Sequence, residues 1–356
     1  MTAPASAGVL YPARMFMRPV WTDLGTKTFT LGGAPVSYQL RQLGYLDMLI
    51  AHITGTYTPT NANLVFGAMG PYQAVTNFLV QSPSQQPAIN IGGAMLHVWN
   101  LRASDFAPYR RQFRYPAQGT LDANAYHASV VDQVPVATGS QQTLHLWWVL
   151  PFHINSEDPR GNLALGNSGV TNLIITPDAI ADYVTVAANL VGQALTVDVV
   201  QVYYTPPPAG APTIGGSTGD AFSVTYDETY QAVPGTGLNK VEIVPSFTIL
   251  GILHALSLNG ALDSTDITSA YLRVNQSYFT DPAGIPNAVQ DMRQFFEGGV
   301  PLPVGFLLYD QDLAGAQGWI HTDAVTELES AITIATSATI TNGKIYTSVR
   351  RLVPVG

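Results

Sequence analysis

Apolar and polar positions alternate over short distances along most of this chain. Runs rich in Val, Ile, Thr, Tyr and Trp are bounded by Gly, Pro, Asn and Ser, the signature of β-strands separated by turns. Thr143 to Ile154 (TLHLWWVLPFHI) is too apolar for a half-exposed strand and predicts a central strand buried on both faces. Leu195 to Tyr204 (LTVDVVQVYY) reads the same way, and Leu173 to Thr176 predicts a short strand. Ala331 to Thr341 and Lys344 to Leu352 flank Asn342-Gly343. An Asn-Gly pair between two β-rich runs predicts a hairpin, because both central residues of its turn need positive φ. Helical spacing is confined to Arg102 to Phe113, interrupted by Pro108, to Asn287 to Glu297, and to Asp323 to Ala331. Gln42 to Thr58 fits two templates. Leu43, Leu46, Ile50 and Ile53 satisfy a helical period, whereas Gly44, Gly55 and the run Thr54 to Thr58 favour a long strand.

The clearest interruption is Thr205 to Thr218 (TPPPAGAPTIGGST), since a proline triplet cannot continue a sheet ladder and stiffens a connection. It divides the chain into an N-terminal arm (1–19), a first domain (20–205), a linker (206–218) and a second domain (219–356). The expected class is all-β: two eight-stranded sandwiches in tandem, with a few short helices. Leu43-Gly44-Tyr45-Leu46 and Leu250-Gly251-Ile252-Leu253 echo each other near the start of each half, consistent with duplication.

Ile243 to Leu262 carries no charge, but Pro245, Gly251, His254, Ser257, Asn259 and Gly260 interrupt it. A spanning helix wants about 20 predominantly apolar residues, so this stretch is not read as one. Met1 to Pro19 lacks a charged segment followed by an apolar run and is not read as a signal peptide.

Composition sharpens this picture. Charged residues are 11% of the chain, against about 25% in an ordinary soluble domain. A subunit that hides much of its surface against copies of itself can dispense with charge, because interface cores are depleted in it. The net charge is -9, and no Lys or Arg lies between Gly161 and Asn239, a stretch holding Asp178, Asp182, Asp198, Asp220, Asp227 and Glu228. Binders of nucleic acid present basic patches, so direct genome contact is not expected. The absence of cysteine excludes disulfides and thiolate metal sites.

Candidate chemistry is sparse. The histidines (His52, His97, His127, His145, His153, His254 and His321) show no HxH or HExxH spacing, so neither a cupin-type metal site nor any cofactor is expected. No GxSxG, P-loop or strand-preceded GxGxxG occurs. The carboxylate pairs Asp310/Asp312 and Glu157/Asp158 follow strand-like runs and read as turns rather than as a glycosidase pair. Trp99, Trp147 and Trp148 sit in apolar runs and read as core; Trp21 and Trp319, in polar context, are expected to touch a partner. Arg110, Arg111 and Arg114 form a basic cluster suited to solvent or to salt bridges between subunits.

The segment Leu144 to Asn162 (LHLWWVLPFHINSEDPRGN), then Val170 to Ile175, Pro245 to Leu258, Ala270 to Phe279 (AYLRVNQSYF), Pro303 to Tyr309 and the closing hairpin resemble the double-jelly-roll major capsid proteins of tectivirus-type bacteriophages. The resemblance is spread over most of the chain and has no short diagnostic motif. It implies that the two eight-stranded sandwiches are jelly rolls in tandem, a double jelly roll, with a strand at Gln42 to Thr58, and a homotrimer of six jelly rolls forming a pseudo-hexameric capsomer of an icosahedral shell. It also implies contacts with neighbouring capsomers, penton and minor capsid proteins, an internal lipid membrane, assembly in the host cytoplasm, and no catalytic residues. Short loops here imply small outward towers. Arg14, Met15, Phe16, Met17 and Arg18 make a mildly cationic amphipathic arm, expected to contact the membrane or a neighbouring capsomer; a disordered terminus is its alternative. Two other function classes remain open from sequence: a carbohydrate- or receptor-binding sandwich, and a cupin-type enzyme.

Overall fold

The computed structural model describes residues 19–59, 67, 69–81, 87–102, 142–154, 163–165, 170–184, 190–205, 222–263, 265–275, 277–278, 305–310 and 319–354. Among these residues, the N-terminal half contributes eight principal strands: β1 (Pro19–Phe29), β2 (Val36–Gln39), β3 (Tyr45–Pro59), β4 (Val75–Gln81), β5 (Ile89–Ile91), β6 (Gln142–Pro151), β7 (Asn172–Pro177) and β8 (Leu190–Tyr204). The second half contributes eight more: β9 (Phe222–Ala232), β10 (Gly237–Glu242), β11 (Thr248–Leu258), β12 (Ile267–Val274), β13 (Ser277–Tyr278), β14 (Phe306–Asp310), β15 (Leu328–Ile334) and β16 (Lys344–Pro354). Two-residue strands at Leu163–Ala164, Ala261–Leu262 and Ile320–His321 extend the margins. Helix α1 (Gly93–Arg102) follows β5.

Both halves are wired identically. In the first, one sheet runs β1-β8-β3-β6 and the facing one β2-β7-β4-β5; in the second the orders are β9-β16-β11-β14 and β10-β15-β12-β13. This is the jelly roll twice over, and the chain is a double jelly roll. The rolls share backbone hydrogen bonding. β5 pairs in parallel with β9, Tyr226 opposite Ile89 and Asp227 opposite Asn90, and makes one continuous sheet of the second sheet of roll one and the first sheet of roll two.

That continuity explains the charge-free run. One core fills the first roll and spreads onto the outer face of β9-β16-β11-β14 through Val224, Leu250, Leu253, Ala255, Leu308 and Leu352. The other fills the second roll through Ile249, Ile252, Leu256, Ile332, Ile345 and Val349. β11 lies between them, buried from Ile249 through Leu258. A strand covered on both faces reads as continuous apolar sequence. Among the described residues, no helix is long and apolar enough to cross a membrane.

Several expectations are corrected. Thr143 to Ile154 forms β6, but among the described residues it pairs on its long edge with β3 alone and ends its sheet. Leu195 to Tyr204, in β8, is flanked on both sides, by β1 and β3. Asn342 does adopt positive φ (57°), yet no hairpin forms. β15 pairs with β10 and β12, whereas β16 pairs with β9 and β11, so the turn carries the chain from one sheet to the other. Asp323 to Ala331 is one 3-10 turn, Thr322–Ala324, and then a strand. Gln42 to Thr58 is a strand from Tyr45 on. Of the helix expected at Arg102 to Phe113, Arg102 ends α1 and the rest lies outside the described residues, as do Asn287 to Glu297 and linker residues 206–218.

Candidate functional site

Among the described residues, a cluster of side-chain contacts lies where the rolls meet. Helix α1 is buried from Gly93 through Asn100 and packs across the seam. Its Trp99 donates from Nε1 to Ser348 Oγ (3.0 Å) on β16 and sets its ring edgewise to Tyr226 at 6.1 Å. On β11, Gly251 gives the ring room: a Cβ there would lie 2.9 Å from Trp99 Cη2. Arg350 lies over the Tyr226 ring at 5.7 Å and donates to the carbonyls of His153 (3.1 Å) and Ile154 in the first roll. Asn77 Nδ2 donates to Asn90 Oδ1 (3.0 Å), and Asn90 Nδ2 donates to Asp227 Oδ1 (3.1 Å). Glu228 Oε2 accepts the Gly92 N–H at 2.6 Å. Enclosure of its carboxylate pushes the Glu228 pKa up to about 7; the Gly92 hydrogen bond pulls the other way and Asp227 adds to the rise.

The described histidines, which exclude His127, make structural contacts. His254 on β11 is buried, meets Thr347 Oγ1 and Ser330 Oγ, each at 2.9 Å, and so ties the two sheets of the second roll together. Burial drives its pKa down to about 3, keeping the ring neutral. His153 Nδ1 lies 2.8 Å from Asp47 Oδ1, both buried, and His97 stacks on Tyr72. His52 and His145 meet across β3 and β6, Nε2 to Nδ1 at 3.3 Å, with Trp147 stacked on His52. Sequence spacing could not show that pair, because it is made by strand pairing. Among the described residues, no cluster of three or more His, Cys, Asp or Glu could hold a metal ion. Asp310 ends β14 instead of opening a turn; Asp312, Glu157 and Asp158 lie outside the described residues.

Trp99 and Trp148 are buried, and Trp147 is partly so. Trp319, expected at a partner surface, is instead buried in the first core. Its polar neighbours in sequence gave no sign of the apolar wall that the first roll supplies. Trp21 is exposed on β1. Arg14 to Arg18 and Arg110, Arg111 and Arg114 lie outside the described residues.

The exposed apolar side chains are unevenly placed. Strand directions put the start of β1, the end of β8, the start of β9 and the end of β16 at one end of the molecule. Leu43 and Val170 in the first roll and Val244 and Phe247 in the second sit exposed in loops at that same end.

The chain matches no protein-family model, and no curated protein matches its sequence. Solved structures do match. That titled as the atomic structure of Sulfolobus Turreted Icosahedral Virus has a TM-score of 0.68 at 14% identity, covering 95% of this chain and 91% of the other. The major capsid protein of bacteriophage PM2 gives 0.57 at 10% identity, over 95% and 98%. The Faustovirus major capsid protein gives 0.58 at 9%, over 96% and 91%. The likeness spans nearly the full length of each and shows a shared double-jelly-roll fold.

Proposed function

We propose that this protein is the major coat subunit of an icosahedral virus, acting by assembly and not by catalysis. One observation carries the reading: two identically wired rolls, bonded side by side through β5 and β9, match viral coat proteins over almost the whole of both chains. The low charge fits a surface mostly covered by copies of itself. The proposed unit is a homotrimer whose six rolls form a pseudo-hexameric capsomer. It meets neighbouring capsomers, penton and minor capsid proteins in the virion shell after assembly in the host cytoplasm. The division into arm (1–19), first roll (20–205), linker (206–218) and second roll (219–356) belongs to this reading. Negative-stain images of particles built from the purified chain test it: hexagonal capsomers are expected, and featureless monomers would overturn it.

The shell is further proposed to stand on an internal membrane. Leu43, Val170, Val244 and Phe247 are exposed at the end where β1 begins, and the proposal assigns bilayer contact to that end and to Arg14, Met15, Phe16, Met17 and Arg18. Each basic residue near an anionic bilayer is worth about 1 kcal/mol, weak for one arm and additive over many. Assembled protein should float with anionic vesicles, and Arg14→Glu with Arg18→Glu should abolish flotation. Flotation unchanged by that pair would overturn the arm's role.

A further inference from the structure

We infer that the seam between the rolls is repeated between chains: the β1 edge of one copy pairs with the β13 edge of a second, as β9 pairs with β5 within the chain. The inference deepens the coat-subunit reading and rests on it.

The argument comes from registering the rolls on each other. The third strand of each roll carries a bulge against its eighth, at Asp47 between Leu46 and Met48, and at Leu250 between Ile249 and Gly251. Three residues earlier stands a positive-φ residue in both, Gly44 (62°) and Phe247 (58°). Asp47 therefore corresponds to Leu250, and Met48 to Gly251. Through the eighth strand, Val202 corresponds to Arg350 and Val200 to Ser348. Through the first strand, Trp21, opposite Val202, corresponds to Tyr226, opposite Arg350.

Tyr226 is 2% exposed, because the first roll covers it; Trp21 is 61% exposed, since among the described residues nothing covers it. The seat on the second roll (Tyr226, Gly251, Ser348) is filled from within the chain by Trp99. Its counterpart on the first roll (Trp21, Met48, Val200) is apolar and unfilled by any corresponding element among the described residues.

The other half of the contact follows likewise. The Tyr226 N–H donates to the Ala88 carbonyl at 3.0 Å. Tyr38 corresponds to Val241 by the same offset, so Leu173 matches Ser330, Gln81 matches Arg273, and Ala88 matches Tyr278. Ala88 is 8% exposed and Tyr278 is 50% exposed. Two large exposed aromatics, at opposite outer edges of the molecule, thus occupy the two positions that are joined and buried at the internal seam. Among the described residues, β1 pairs only with β8 and β13 only with β12, leaving both edges open to strand addition. The contact is heterologous, so it propagates head to tail and suits a closed ring. The occupant of the Trp21 seat is a second copy of this chain.

The chain has no cysteine, so Trp21→Cys and Tyr278→Cys can link only by design. Oxidation of the assembled double variant should give covalent dimers and trimers on a non-reducing gel. Each single variant should give none, and assembly of the two singles together should give a linked pair. Trp21→Asp should reduce the oligomer to a monomer with unchanged circular dichroism, while Tyr230→Asp, at the opposite end, should not. Linking by Trp21→Cys alone, an unlinked double variant that light scattering shows to be oligomeric, or an intact Trp21→Asp oligomer would overturn this contact and leave the coat reading standing. A monomeric unmodified chain would overturn both.

Discussion

The indole of Trp99, between the fifth and sixth strands of the first roll, is hydrogen-bonded to Ser348 Oγ in the eighth strand of the second at 3.0 Å, and both are buried. A side chain of one roll thus completes the outer face of the other. Trp99→Ala should cost about 3–5 kcal/mol, as truncation of a buried Trp does. Because Trp99 bridges the rolls, calorimetry of the variant should show two separated transitions in place of one. Ser348→Ala should cost about 1–3 kcal/mol, the penalty of leaving the buried indole N–H unpaired.

Gly251→Ala tests the same contact from the other side. A methyl 2.9 Å from Trp99 Cη2 forces the ring to move, at a cost of about 1–3 kcal/mol. In a Trp99→Ala background most of that cost should vanish, and a double-mutant cycle by urea denaturation reads the coupling.

Glu228 should make the seam sensitive to pH. Its pKa is about 7 in the folded chain, against an ordinary 4.5. The folded state therefore binds the proton more tightly, and Glu228 favours folding fully below about pH 4.5 and progressively less as pH rises through 7. Glu228→Gln keeps an oxygen to accept the Gly92 N–H and removes the charge. The melting temperature of the variant relative to the unmodified chain should be higher at pH 8 than at pH 5.

His254 has the opposite sign. Its folded pKa lies far below the ordinary 6.5, so the unfolded chain takes up a proton that the folded chain refuses. Stability from this group is full above about pH 6.5 and falls as pH falls toward 3. His254→Gln should flatten that acid-side loss, read from urea midpoints at pH 7 and pH 5.

Sequence made the all-β class legible because it depends on local pattern. Pairing was legible only in part. Asn342-Gly343 specifies a reversal with positive φ, but which sheet each arm joins depends on facing residues far away in sequence. The echo of Leu43-Gly44-Tyr45-Leu46 in Leu250-Gly251-Ile252-Leu253 falls near the right strands and out of register: Gly44 corresponds structurally to Phe247, and the true repeat is carried by backbone conformation and a bulge that no residue type marks. Helix α1 gave no periodic signal because it is buried all round. Trp21 and Trp319 looked alike in sequence, and only the fold separates the exposed edge from the shared core.

The most direct test of the central claim is the mass of the purified chain by size-exclusion chromatography with light scattering. Assembly through the open β1 and β13 edges predicts a species of three times the 38.1 kDa chain at micromolar concentration. A stable species of a single chain's mass would contradict the account.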